Sequence, residues 1–154
     1  MGYVDQNLLQ GEEVIYRAKL HPIIFSVPIF FGVVGLFFVV VALVDEAVSA
    51  FATLGIFFIL VAALVALVRF IRLKTSEFAV TNKRVLVKVG LIRRHTLELL
   101  LGKVETIGVD QGVLGRIFNY GTIIVTGTGG ANEPFKGIAN PLEFRKQVQS
   151  RAVA

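Results

Sequence analysis

The residues best suited to chemistry in this sequence are cations. Lys83, Arg84, Lys88, Arg93 and Arg94 fall within twelve positions, and from Arg69 to Arg151 there are 14 Lys or Arg against six acids. A cluster of that sign invites contact with an anionic neighbour, either a phospholipid headgroup or a nucleic-acid phosphate. It is equally the pattern of a solvated strand face paired with Glu77 and Glu98. Other chemistries lack their residues. The chain has no cysteine, which removes disulfides, thiolate zinc sites and cysteine nucleophiles. His21 and His95 are too few for a histidine metal centre. Ser26, Ser49, Ser76 and Ser150 make no readable Ser/His/Asp arrangement, and Glu98, Glu105 and Asp110 are scattered carboxylates. Gly127-Thr128-Gly129-Gly130 has neither the Lys-Ser/Thr of a phosphate loop nor a following helix, and fits a hairpin turn. No catalytic residue, metal or cofactor is expected.

The elements that must carry these cations are unusual. The 154 residues are 55% apolar and 18% charged, with a net charge of +5. Between Pro22 and Arg69 the only charged residues are Asp45 and Glu46, which divide two 22-residue apolar stretches, Ile23–Val44 and Ala47–Val68. A helix of that length rises about 33 Å, against a hydrocarbon core about 30 Å thick. Seventeen residues of the first stretch are Ile, Leu, Val or Phe, worth about −5 to −10 kcal/mol on the insertion scale. The stretches predict a transmembrane helical hairpin at 23–44 and 47–68. A cleaved leader is not expected, because its apolar region would be shorter and would follow a positive start.

Arg17 and Lys19 precede the hairpin, Arg69, Arg72 and Lys74 follow it, and the turn has no Lys or Arg. The positive-inside rule places both termini in the cytoplasm and Asp45–Glu46 outside. Arg69, Arg72 and Lys74 are expected as interface anchors that snorkel to the headgroups. Gly32 and Gly35 share one helix face, and Gly55, Ala62 and Ala66 make a small-residue stripe on the other helix. They suit close helix packing within the hairpin or against further spans. Neither stretch holds an ionisable residue, which argues against a proton or ion pathway.

After Lys74 the pattern changes to alternation. Strands are predicted around 77–81, 84–89, 96–99, 104–109 (with a bulge at Gly108), 121–126 and 133–138. Asn140-Pro141-Leu142-Glu143 reads as a capping box opening a helix with Phe144, Val148 and Ala152 on its apolar face. In Val113–Thr122, Gly115 and Asn119–Gly121 imply tight turns. Leu114, Ile117 and Phe118 are expected to pack beneath the sheets, with Arg116 and Tyr120 as a partner surface. The fold class is thus an α+β membrane protein, a two-helix hairpin followed by a small β-sandwich or open barrel with a C-terminal capping helix. Its parts are an N-terminal segment 1–22, the hairpin 23–68 and a cytoplasmic β domain 74–154.

Several pieces form an ordered series. They are Leu9-Gln10-Gly11-Glu12-Glu13, Thr81-Asn82-Lys83-Arg84-Val85 with Gly90, Val113–Thr122, Gly127–Gly130 and Asn140-Pro141-Leu142-Glu143-Phe144-Arg145. The series resembles the bacterial pleckstrin-homology (PH) family, in particular its YdbS-like membrane proteins with a two-helix hairpin, over nearly the whole chain. The resemblance implies two packed sheets closed by a C-terminal helix and no enzymatic activity. It also favours Lys83, Arg84 and Lys88, near the first strand turn, as headgroup contacts, with Arg93 and Arg94 beside them. The Lys…Lys/Arg-x-Arg run of phosphoinositide-binding PH domains is missing, which leaves a looser attraction of about 1 kcal/mol per basic residue. Three functions are expected in consequence: a protein-binding scaffold or accessory subunit of a membrane complex, with a protein partner or a homo-oligomer; an anionic-lipid sensor; and, remotely, a tethered nucleic-acid binder. Nucleic acid is not the expected partner, because few aromatics punctuate the charges.

Overall fold

The computed structural model describes residues 2–44, 50–90, 94–128, 130 and 132–152. The expected acidic tip Asp45–Glu46, the cation Arg93 and Gly129 lie outside the described residues. The chain divides into two compact units, Pro22–Ile71 and the combination of Met1–His21 with Arg72–Ala154.

In the first unit a 3-10 turn, Pro22–Phe25, leads into helix α2 (Ser26–Val44), and helix α3 is Ala50–Thr75. Both are long and apolar enough to cross a membrane, with mean hydropathies of 2.9 and 2.8. They meet where they lack side chains. A Cβ on Gly35 would lie 2.8 Å from the Gly55 carbonyl oxygen, and one on Gly55 2.7 Å from that of Gly35. Only glycine permits backbones this close. Ala62 is buried at the same seam, facing Gly32, and Ala66 is half-buried. Beside the glycines Phe58 stacks on both Phe31 and Phe38 (5.9 and 6.2 Å), and Phe38 on Phe51 (5.7 Å). On other faces Phe30, Phe37, Leu60 and Leu64 are all more than 60% exposed. Helix α3 also outruns the expected end at Val68. Arg69, Arg72 and Lys74 are therefore helical, the last two in the final turn, where cations oppose the negative dipole end.

Among its described residues the second unit has a short helix α1 (Tyr3–Gln6) and seven strands. One antiparallel sheet has the order β1 (Val14–Ala18), β2 (Glu77–Thr81), β3 (Arg84–Val89), β4 (His95–Leu100). The other has the order β5 (Val104–Asp110), β6 (Tyr120–Gly127), β7 (Asn132–Ala139). A five-residue helix α4 (Val113–Ile117) joins β5 to β6, and α5 (Pro141–Ala152) closes the unit. Phe78, Val80, Val85 and Val87 of one sheet, Ile107, Ile123, Val125 and Phe135 of the other, and Phe144 and Val148 of α5 make one core.

The structure corrects several expectations. Residues 1–21 are part of the β unit rather than a separate leader, since β1 pairs with β2 from Val14↔Thr81 to Ala18↔Phe78. Val14, Ile15 and Tyr16 are consecutive apolar residues, so no alternation announces that strand. Strands β2 and β3, expected to be half-buried, are covered on both faces over most of their length. Val4, Leu8 and Val14 pack on the outer side against Ala79 and Leu86. The irregularity in β5 falls between Val104 and Thr106, while Gly108 keeps register with Ile124. Helix α5 starts at Pro141 as expected, yet without the capping box. Asn140 adopts a left-handed φ of 51°, its Oδ1 accepts from Asn119 Nδ2, and Glu143 accepts from Gln147 instead. Phe144 and Val148 are buried, but Ala152 is exposed.

Candidate functional site

Three of the expected headgroup contacts meet the N-terminal segment. Lys83 Nζ donates to the Gln10 carbonyl (2.8 Å), and Lys88 Nζ stands 5.3 Å from the Tyr3 ring centroid. Arg84 is only 9% exposed. Its Nε and Nη2 grip Glu12 (2.9 and 3.0 Å), Nη1 reaches Glu98 and Nη2 also reaches the Asn7 carbonyl (both 2.5 Å). Arg84 is thus a structural cation, and its assignment as a headgroup contact does not hold. The register adds a second separation. Lys88 lies opposite Glu77, close to the end of α3, whereas Lys83 and Arg84 sit at the other end of β2. Among the described residues of the cluster, Arg94 is exposed in front of β4.

Glu12, beside Arg84, is arranged to stay ionised. Burial opposes the charge on Glu12. The Arg84 guanidinium, the Leu9 amide and the Thr81 hydroxyl outweigh it and hold the carboxyl at about 2. Thr81 Oγ1 also accepts the Arg84 amide at 2.9 Å, which fixes the β2–β3 turn. Glu77 accepts the amides of Tyr3 and Val4 (2.8 and 3.0 Å), and Asp5 pairs with Arg17 of β1. Tyr3 donates to Glu98 (2.9 Å). These bonds fasten residues 3–12 across the outer face of β2 and β3.

The second site is the corner at α4. Gly115 is required there, because a Cβ would fall 2.6 Å from the Tyr120 carbonyl oxygen. Gln111 Nε2 donates to the carbonyls of Gly115 and Tyr120 (3.2 and 3.1 Å), stapling the corner from within. Sequence reasoning missed Gln111, since nothing in its spacing marks it. Leu114, Ile117 and Phe118 do not pack beneath the sheets as expected. They are 59%, 68% and 52% exposed, and Val113 is 77% exposed. With Gly115 buried against β6, a five-residue helix turns its large side chains outward. Arg116 is exposed, as expected. Tyr120 is half-buried because its ring stacks on His21 at 5.3 Å.

A family model described as bacterial PH domain matches residues 23–152. The chain belongs to the bacterial PH domain family. The match takes in both long apolar helices and every strand except β1. No curated protein and no solved structure matches the chain. In this bacterial PH domain the four- and three-stranded sheets and the closing helix have the layout that the resemblance implies.

Among the described residues two grooves share Lys136, and the larger of them borders the corner. One of about 500 Å³ is lined by Asp110, Val113, Leu114, Tyr120, Lys136 and Gly137. The other, about 220 Å³, is lined by Leu20, Arg72, His95, Glu133 and Lys136 among others. His95 opens β4 and faces Glu133 at 3.2 Å. Among the described residues no group of His, Cys, Asp and Glu is arranged to hold a metal.

Proposed function

We propose that this bacterial PH domain protein is a YdbS-like, two-span membrane protein whose β unit is a non-enzymatic docking module at the cytoplasmic face of the plasma membrane. The observation that carries the reading is the bare apolar surface of α2 and α3. Large side chains such as Val44, Phe30 and Leu64 are 83%, 64% and 65% exposed, a surface that suits lipid tails and is costly in water. The β1–β2 ladder supports a hairpin. The strands flank the two helices in sequence and pair in one sheet, which fits an even number of bilayer crossings.

Docking of a protein is favoured over recognition of lipid charge, because Lys83, Arg84 and Lys88 are engaged by residues 3–12. Membership of the bacterial PH domain family supports a binding role. Washing native membranes with alkaline carbonate tests the anchor: the full chain should stay in the pellet and leave only with detergent. Release by carbonate overturns it. Gentle detergent extraction tests docking, with a stoichiometric complex expected; a monodisperse monomer overturns that part. For sidedness, a single cysteine at Lys146 should be shielded from an impermeant maleimide in intact cells.

A further inference from the structure

Helix α4 and its C-cap residue Phe118 expose four large apolar side chains. Val113, Leu114, Ile117 and Phe118 are each more than half exposed. The backbone beneath them is held by the Gln111 bonds and by the Gly115–Tyr120 approach. Asn119 and Asn140, both left-handed, add a side-chain bond and an amide-to-carbonyl bond of 3.0 Å. These contacts hold the corner with the four side chains turned outward.

Its position is tied to the places where the β unit joins the apolar helices. Tyr120 stacks on His21, whose amide donates to the Gly137 carbonyl at 2.7 Å. The next residue, Pro22, opens the first apolar stretch. Lys136 lines the α4 groove and also lines the groove that holds Arg72, in the last turn of α3. One end of the β unit therefore carries both chain connections, the apolar corner and the cations Arg116, Lys136 and Arg72, with Asp110 and Glu133 as acids among the groove residues. Apolar side chains ringed by Arg, Lys and a tyrosine are suited to the headgroup–acyl boundary of a bilayer.

We propose that α4 is an interfacial anchor: Val113, Leu114, Ile117 and Phe118 enter the headgroup–acyl boundary of the membrane that holds α2 and α3. The proposal rests on the membrane reading above. Arg116 and Tyr120, expected as a partner surface, then belong to the lipid-facing end. Protein docking falls to the rest of the β unit.

The chain has no tryptophan, so single-Trp variants report one site each. I117W, F37W in α2 and L9W are prepared in the full chain and reconstituted into phosphatidylcholine–phosphatidylglycerol vesicles with and without shallow-brominated lipid. Leu9 is a fitting reference. It is 52% exposed and apolar, and it precedes Gln10, whose carbonyl binds Lys83 at the end of β2 away from α3. The expected result is loss of emission at I117W and F37W and none at L9W. Emission at I117W that resists quenching, as at L9W, while F37W is quenched overturns the anchor and leaves the membrane reading standing. The same result is expected if a protein rather than lipid covers the corner. Unquenched F37W overturns both. I117S, with a polar side chain in place of the apolar one, should lower retention of L114W quenching; unchanged quenching overturns the anchor.

Discussion

Arg84 and Glu12, 72 residues apart in sequence, form a two-nitrogen ion pair beneath the outer surface of the first sheet. The long apolar helices lie between them in the chain, so the pair fastens the segment before those helices to the sheet made after them. Removal of Arg84 strands the buried Glu12, while removal of Glu12 leaves Arg84 its bond to Glu98.

The first prediction concerns that pair. R84M is expected to cost about 3–5 kcal/mol, the range for an orphaned buried charge, and E12A less, because Arg84 then keeps Glu98. E12Q combined with R84M should cost less than the sum of the single changes, because neither then leaves a buried ion. Denaturant titration of the detergent-solubilised chain, followed by the β-unit circular dichroism, measures this. Additive losses would show that the two side chains do not act as a pair.

The pH dependence has a definite sign. The folded Glu12 carboxyl sits at about 2 against a usual 4.5. The unfolded chain therefore takes up the proton first as acid is added. The stabilisation is whole above about pH 4.5 and drains away as pH falls towards 2. Stability measured across that window should fall in the native chain and be flatter in E12Q. Identical slopes would refute the assignment.

The helix seam gives a contrast between glycines. G35A and G55A each push a methyl to within 2.8 Å of a facing carbonyl oxygen, whereas a Cβ at Gly32 would meet only Ala62, at 3.9 Å. Overpacking of this kind costs about 1–3 kcal/mol. Thermal unfolding in detergent should drop for G35A and G55A and stay near native for G32A. Equal effects at all three positions would remove the close approach as the cause.

A fragment comprising residues 74–154 should fold badly. It lacks β1, leaves the β2 edge unpaired and deprives Arg84 of Glu12. Joining residues 2–21 to 72–152 through a flexible Gly-Ser linker should restore a dispersed, cooperative amide spectrum. A well-dispersed spectrum from 74–154 alone would contradict the joint fold.

Periodicity made most of the β unit legible. β2, β3 and β4 lie within a residue or two of the alternating runs, and Pro141 marks the start of α5. The apolar lengths likewise announced α2 and α3, although α3 runs on past Val68 to Thr75. The features that periodicity missed have a common cause: contacts between residues distant in sequence. Val14–Ala18 is a strand because β2 waits for it, though its own pattern is not strand-like. For the cations at 83, 84 and 88 the sequence offered Glu77 and Glu98 as partners, and Arg84 does reach Glu98. The further partners at 10, 12 and 3 precede two long helices in the chain. Leu114, Ile117 and Phe118 looked like core from their composition. A five-residue helix pinned by a buried glycine has no inward face large enough for all of them.

The pairing of β1 with β2 also sets an order of events during synthesis. At about 5–20 residues per second, the ribosome needs roughly 3–12 s to make residues 19–76 after β1 has emerged. Through that interval β1 waits for a neighbour, and it gains one only when the second long helix has been completed. Closure of the first sheet is therefore a late step, a built-in checkpoint that an unfinished hairpin cannot pass.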